Sequence, residues 1–139
     1  MTICIFHDTN PATHDRQVLE IVESLYGRRE KVLIHTRNVE RAAALDRGLW
    51  IVKQESFVPH KVLGPGESDP DLRVAIVYGE YNAIDARTLI VDCHCNLDFS
   101  CRFDAIHEFV NRISPEIHQS CRERFRDYRA RQIPVEYNK

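Results

Sequence analysis

The chain has 139 residues, 43% apolar and 29% charged, with a formal net charge of −2. That size suits one domain, residues 1–139, around one core, and the near-neutral charge excludes a protein that coats nucleic acid with its whole surface. No apolar run nears the roughly 20 residues that span a bilayer, Met1 to Asp8 lacks the pattern of a secretory leader, and five irregularly spaced cysteines do not suggest a disulfide framework. A cytoplasmic protein with free thiols is expected.

Strand and helix signals alternate along the chain. Ile3 to His7 predicts a buried strand, and Asn10-Pro11 opens a helix whose apolar positions Val18, Ile21, Val22 and Leu25 lead to Gly27. Val32-Leu33-Ile34 predicts a second strand. Asn38 to Trp50 predicts a helix capped by Asn38, with Leu45 and Leu49 on one face. Phe57 to Leu63 is a short extended piece broken by Pro59, and Gly64 to Asp71 is a turn-rich loop. Val74 to Tyr78 and Thr88 to Val91 lack alternation, which suits strands covered on both faces.

Two helices are expected to close the domain. The first spans about Phe99 to Ile113, with Phe103, Ile106, Phe109 and Val110 at helical spacing. The second opens on Ser114-Pro115-Glu116, a cap, a first-turn proline and an acid, and runs to about Ala130. Ile133-Pro134-Val135 then leaves as a tail. The alternation implies an α/β fold, a three-layer, mainly parallel sheet with helices on both faces, Rossmann-like in topology but without a nucleotide motif.

Catalytic signatures are missing. There is no phosphate-binding glycine loop, and no nucleophile elbow surrounds any Ser or Cys. Cys93-His94-Cys95 with Cys101 has zinc-ligand residue types but no standard spacing, so buried core cysteines are the expected reading and a small metal protein the lesser one. Asp8 and Asp92 sit at strand ends, the ligand edge of such sheets, but turns favour aspartate anyway. No catalytic residue, metal or cofactor is expected.

The last helix carries the strongest signal. On a helical wheel Ile117, Cys121, Phe125 and Tyr128 share an arc of roughly 80°, a core-facing stripe. His118, Arg122, Arg126 and Arg129 line one edge of it, while Glu123 and Asp127 fall on the far side. Arginine suits bidentate carboxylate contact, and Phe125 stands at the stripe's boundary, where its ring can wall a pocket. From these residues alone, an acidic peptide with one apolar anchor and a phosphate backbone fit equally well.

Three blocks break that tie: Val39 to Trp50 (VERAAALDRGLW), Glu55 to His60 (ESFVPH) and Arg122 to Arg129 (RERFRDYR). In this order, after the strand–helix–strand beginning, they resemble the chi subunit family of bacterial DNA polymerase III over most of the chain. The resemblance implies a non-catalytic adaptor of the clamp-loader complex. It binds the acidic C-terminal tail of single-stranded DNA-binding protein and meets DNA only indirectly. By position, Arg122, Phe125 and Arg126 form the tail pocket, with His118 at its mouth, Arg129 on the same edge and Ile113 as a wall. Trp50 and Phe57 match the aromatic positions of a second surface, used for the psi subunit or a helicase-like partner. Two positions depart from the pattern: His118 stands where family members carry lysine, and Phe125 where they carry tyrosine.

Overall fold

A computed structural model describes residues 1–51 and 59–138, the side chains of Trp50 and Ile51 excepted. Among the described residues the strands are β1 (Ile3–Thr9), β2 (Val32–His35), β3 (Lys61–Leu63), β4 (Val74–Val77), β5 (Thr88–Val91), β6 (Ala105–Asn111) and β7 (Val135–Asn138). They form one sheet in the order β3-β4-β2-β5-β6-β1-β7, and every pairing is parallel. The helices are α1 (His14–Gly27), α2 (Val39–Ile51), α3 (Leu97–Ser100) and α4 (Pro115–Ala130).

The aliphatic runs of β2, β4 and β5 have no exposed face because they sit inside the sheet between two layers. One layer is α1 and α2, whose Val18, Val22, Ala42 and Leu45 pack on Val32, Ile34, Ile76 and Ile90. The opposite layer contributes Phe99, Cys121 and Tyr128, against Phe6, Leu33, Leu89, Ile106 and Val110. Asn38 Oδ1 accepts the Arg41 amide at 2.8 Å and Ser114 Oγ the Ile117 amide at 3.2 Å, so both expected helix caps form.

Three expectations are corrected. The first concerns α1, which begins at His14 rather than at Pro11; Asn10 Oδ1 instead caps a preceding turn through the amides of Ala12 and Thr13. The second is larger: the predicted helix Phe99 to Ile113 is the short α3 followed by strand β6. Ile106, Phe109 and Val110 have helical spacing, yet a central strand covered on both sides also accepts apolar residues at any position. Its alternation is visible once the two faces are known, with Ile106, Glu108 and Val110 toward α4 and Phe109 toward α1. The third is the predicted tail, which instead enters the sheet as β7, paired to β1 from Cys4↔Val135 to His7↔Asn138.

The α1 face of β1 and β6 also carries a histidine pair, His107 buried and His7 half-buried. His7 Nε2 and His107 Nδ1 lie 2.9 Å apart with stacked rings, so one imidazole donates and the other accepts. Burial, then the neighbouring His7, pushes His107 down from 6.5 to about 4, and burial lowers His7 as well. Between those values the unfolded chain binds a proton that the folded chain refuses. Stability is therefore expected to fall by up to about 3 kcal/mol as pH drops from 6.5 toward 4, then to level. Urea unfolding across that range should show the slope in the native chain and a flatter one in His107→Gln.

Candidate functional site

The site follows from parallel register, because partnered residues in neighbouring parallel strands point to the same face. Phe6 pairs with Tyr137, and Asp8 with Val110. Phe6, Asp8, Val110 and Tyr137 therefore lie on the α4 face of the sheet. Arg112, two residues beyond Val110, follows them. Along the facing edge α4 presents His118, Arg122 and Phe125. Between the two surfaces lies a cavity of about 440 Å³, lined by Phe6, Val110, Cys121 and Phe125 beneath Arg112, His118, Arg122 and Tyr137.

Phe125 is half-buried, its ring 5.2 Å from that of Phe6, and it also lines a second cavity of about 490 Å³ with Arg129, Ile133, Pro134 and Val135. The two cavities thus share the seam between α4 and the segment that ends in β7, on either side of one ring. Among the described residues no acid pairs with Arg122 or Arg129. Arg126 is exposed, with Asp127 Oδ1 3.8 Å from its Nε. Such a seam offers an apolar floor and uncompensated guanidinium donors, the combination that receives carboxylates attached to an apolar anchor.

The structure therefore brings His118, Arg122 and Phe125 to one cavity and Phe125 with Arg129 to its neighbour. It leaves Arg126 on the exposed side of the helix. Ile113 is set apart: it is 60% exposed and lines a different cavity, on the other side of the start of α4. Phe57 and the side chain of Trp50 lie outside the described residues.

Within α4 the wheel misplaced one residue and left a second unassigned. Ile117 is 41% exposed rather than buried, and Arg124 occupies the core. Arg124 Nε lies 3.1 and 3.2 Å from the two Glu108 oxygens, its Nη2 also donates to Glu108, and its Nη1 donates to the Cys95 carbonyl at 2.5 Å. Tyr128 Oη donates to Glu108 Oε2 at 2.6 Å and meets Ser100 Oγ at 2.7 Å. This buried cluster locks α4 to β6 and so sets the angle at which Arg122 and Phe125 face the sheet. On the wheel Arg124 falls about 20° outside the apolar arc, next to Ile117, which was the available signal.

Arg112 and Tyr137 were missed because residues 105–111 and 135–138 were not expected in the sheet. Reading β6 as a strand puts Arg112 at its carboxyl edge, beside Asp8 of β1. Arg112 Nη1 donates to Asp8 Oδ1, and its Nη2 to Tyr137 Oη at 3.1 Å.

Another cavity, about 650 Å³, opens at the carboxyl ends of β2, β5 and β6, the usual ligand crevice of a doubly wound sheet. Its central acid is already saturated. Asp92 accepts from Arg41 Nε at 2.9 Å and Nη2 at 2.8 Å, from His14 Nε2 at 2.8 Å and from Thr36 Oγ1 at 2.6 Å. Burial alone raises its pKa, but the bonds from Arg41, His14 and Thr36 outweigh it and hold the carboxyl well below the ordinary range. Arg41 spends further donors on Asp15. These contacts tie β2, β5, α1 and α2 together and leave Asp92 no lone pair for a substrate.

Cys95 is buried, and burial pushes its thiol up to about 12, so it is no nucleophile at neutral pH. His94 Nδ1 lies 2.9 Å from Ser120 Oγ and its Nε2 3.8 Å from Cys121 Sγ. Among the described residues no group of three or more His, Cys, Asp or Glu side chains is placed to hold a metal.

The profile of the family described as DNA polymerase III chi subunit, HolC, matches residues 1–136. The DNA polymerase III subunit chi of Escherichia coli (strain K12) is 28% identical over 116 residues, covering 83% of this chain and 78% of that protein. The subunit of the same name from Pseudomonas aeruginosa is 25% identical over 133 residues, covering 95% of this chain and 90% of that protein. A match that runs from β1 into β7, and so takes in the α4 seam up to Glu136, places the chain in the DNA polymerase III chi subunit family.

Proposed function

We propose that the chain is a non-catalytic accessory subunit of the bacterial clamp loader, working in the cytoplasm during DNA replication. In this reading the α4 seam binds the acidic C-terminal tail of single-stranded DNA-binding protein, and DNA is met only through that partner. One observation carries it: an apolar cavity floored by Phe6, Val110 and Phe125 opens beside Arg122, a cation that no acid among the described residues neutralises. A tail ending in an aromatic residue supplies a ring for the floor and carboxylates for the lip. His118 at the mouth and Arg126 and Arg129 farther along the helix then meet the upstream acids. The reading requires no metal and no cofactor.

Calorimetry with a short acidic peptide ending in phenylalanine tests it. Arg122→Ala is expected to weaken binding by about 1–3 kcal/mol, the scale of hydrogen bonds to a charged group. Arg126→Ala is expected to cost less, because that side chain lines neither cavity. Unchanged affinity in both variants overturns the assignment. Tight binding of bare oligonucleotide with a steep salt slope favours instead a nucleic-acid module built on the same arginines. The family resemblance also suggests a second partner, psi or a helicase-like protein, at Trp50 and Phe57. That surface rests on the sequence blocks alone.

A further inference from the structure

The seam has cations on both of its lips, and the two lips differ in how those cations are held. Arg122 projects from α4, exposed and without an ion pair among the described residues. Arg112 rises from the end of β6 on the opposite lip, and two strands hold its guanidinium. Asp8 of β1 takes one terminal nitrogen in an ion pair that offsets part of the charge, and Tyr137 of β7 takes the other. What distinguishes Arg112 from Arg122 is therefore a fixed fork rather than an unpaired charge. Both hydrogen bonds raise its pKa further, so the charge is permanent.

We infer that Arg112 receives the terminal carboxylate of the bound tail, on the sheet side of the cavity. The inference rests on the tail-binding reading above and adds a residue to it. A guanidinium has five N–H donors, and two of these contacts leave three, including Nε–H, for a ligand. The contacts also fix the fork before binding, so little side-chain entropy is lost when a carboxylate arrives. Arg122 has no such anchor and must be ordered by the ligand itself. An apolar terminal side chain seated on Phe6, Val110 and Phe125 leaves its carboxylate at the mouth, between Arg112 and Arg122. The pre-ordered fork on the sheet side takes the terminal group. Arg122 is then free for an upstream acid, on the same helix as Arg126 and Arg129.

The test is a two-by-two titration. Wild-type chain and Arg112→Gln are each titrated with two peptides of one acidic sequence ending in phenylalanine, one a free acid and one a C-terminal amide. Amidation is expected to weaken wild-type binding about tenfold. In Arg112→Gln it is expected to change affinity less than about twofold, with both peptides binding as the amide binds wild type. Arg112→Lys, which keeps the charge and loses the fork, should restore part of the discrimination. An amidation penalty as large in Arg112→Gln as in wild type overturns the inference and moves the carboxylate to another cation. A wild-type chain indifferent to amidation also overturns it, while leaving tail binding intact. If wild type fails to bind the free acid at all, the tail-binding reading falls, and this inference with it.

Discussion

Arg124→Met is expected to lower the unfolding free energy by about 3–5 kcal/mol, the largest loss from any single change considered for this chain. The side chain removed is 8% exposed and its partner Glu108 only 1%. Methionine fills much of the volume but leaves the Glu108 carboxylate without its cation, in a place that water does not reach. Tyr128 and its 2.6 Å bond remain, and one neutral donor does not replace a guanidinium that meets both oxygens. Urea unfolding measures the loss. A second substitution, Glu108→Leu, should recover much of it, because removing both partners of a buried pair is far milder than removing one. A double variant no more stable than Arg124→Met would mean that the stabilisation comes from packing of the arginine stem rather than from the charge.

The second large effect is expected at the other side of the sheet. Arg41→Met strips Asp92 of two hydrogen bonds and of the guanidinium that makes them, with the aspartate side chain 3% exposed. About 3 kcal/mol should be lost at neutral pH. The loss carries a pH signature. In the native chain Asp92 is ionised well below the usual carboxylate range, so its contribution is complete above the unfolded value and disappears only as pH falls through that depressed one. In the variant, burial acts without Arg41 and the carboxyl protonates at higher pH. The gap between the two chains should therefore narrow as the solution is acidified. A gap that is constant with pH would assign the effect to lost packing between α1 and α2.

Much of the fold was legible, and the exceptions share a cause. The strands Val74 to Val77 and Thr88 to Val91, the α4 boundaries and the Asn38 and Ser114 caps follow from local chemistry: aliphatic runs, a serine before proline, an asparagine before a helix. What failed was β6, β7 and the inward side of α4. Residues 105–111 have helical apolar spacing because both faces of that strand are covered. Residues 135–138 hold one alternating tetrad at the sheet edge, too short to announce itself. Arg124 and Glu108 are charged residues in the core, and each is tolerable only because of the other, which a one-dimensional pattern does not record. The candidate site inherits the same division. His118, Arg122 and Phe125 were found from α4, whereas Arg112 and Tyr137 were invisible until the strands bearing them were in place. Ile113 was assigned to the pocket by resemblance, and the structure sets it in a different cavity.

The sheet order also has a consequence for how the chain is made. β1 is synthesised before the other described strands, yet its neighbours are β6 and β7, with Ile3 opposite Ala105 and Cys4 opposite Val135. At a ribosomal rate on the order of 5–20 residues per second, the first strand waits several seconds for a neighbour. Until then its apolar residues Cys4, Ile5 and Phe6 have no sheet to join. The cavity floored by Phe6 and walled by Tyr137 is thus among the last features to form, and a chain that stalls before β6 presents an unpaired strand in place of a binding site.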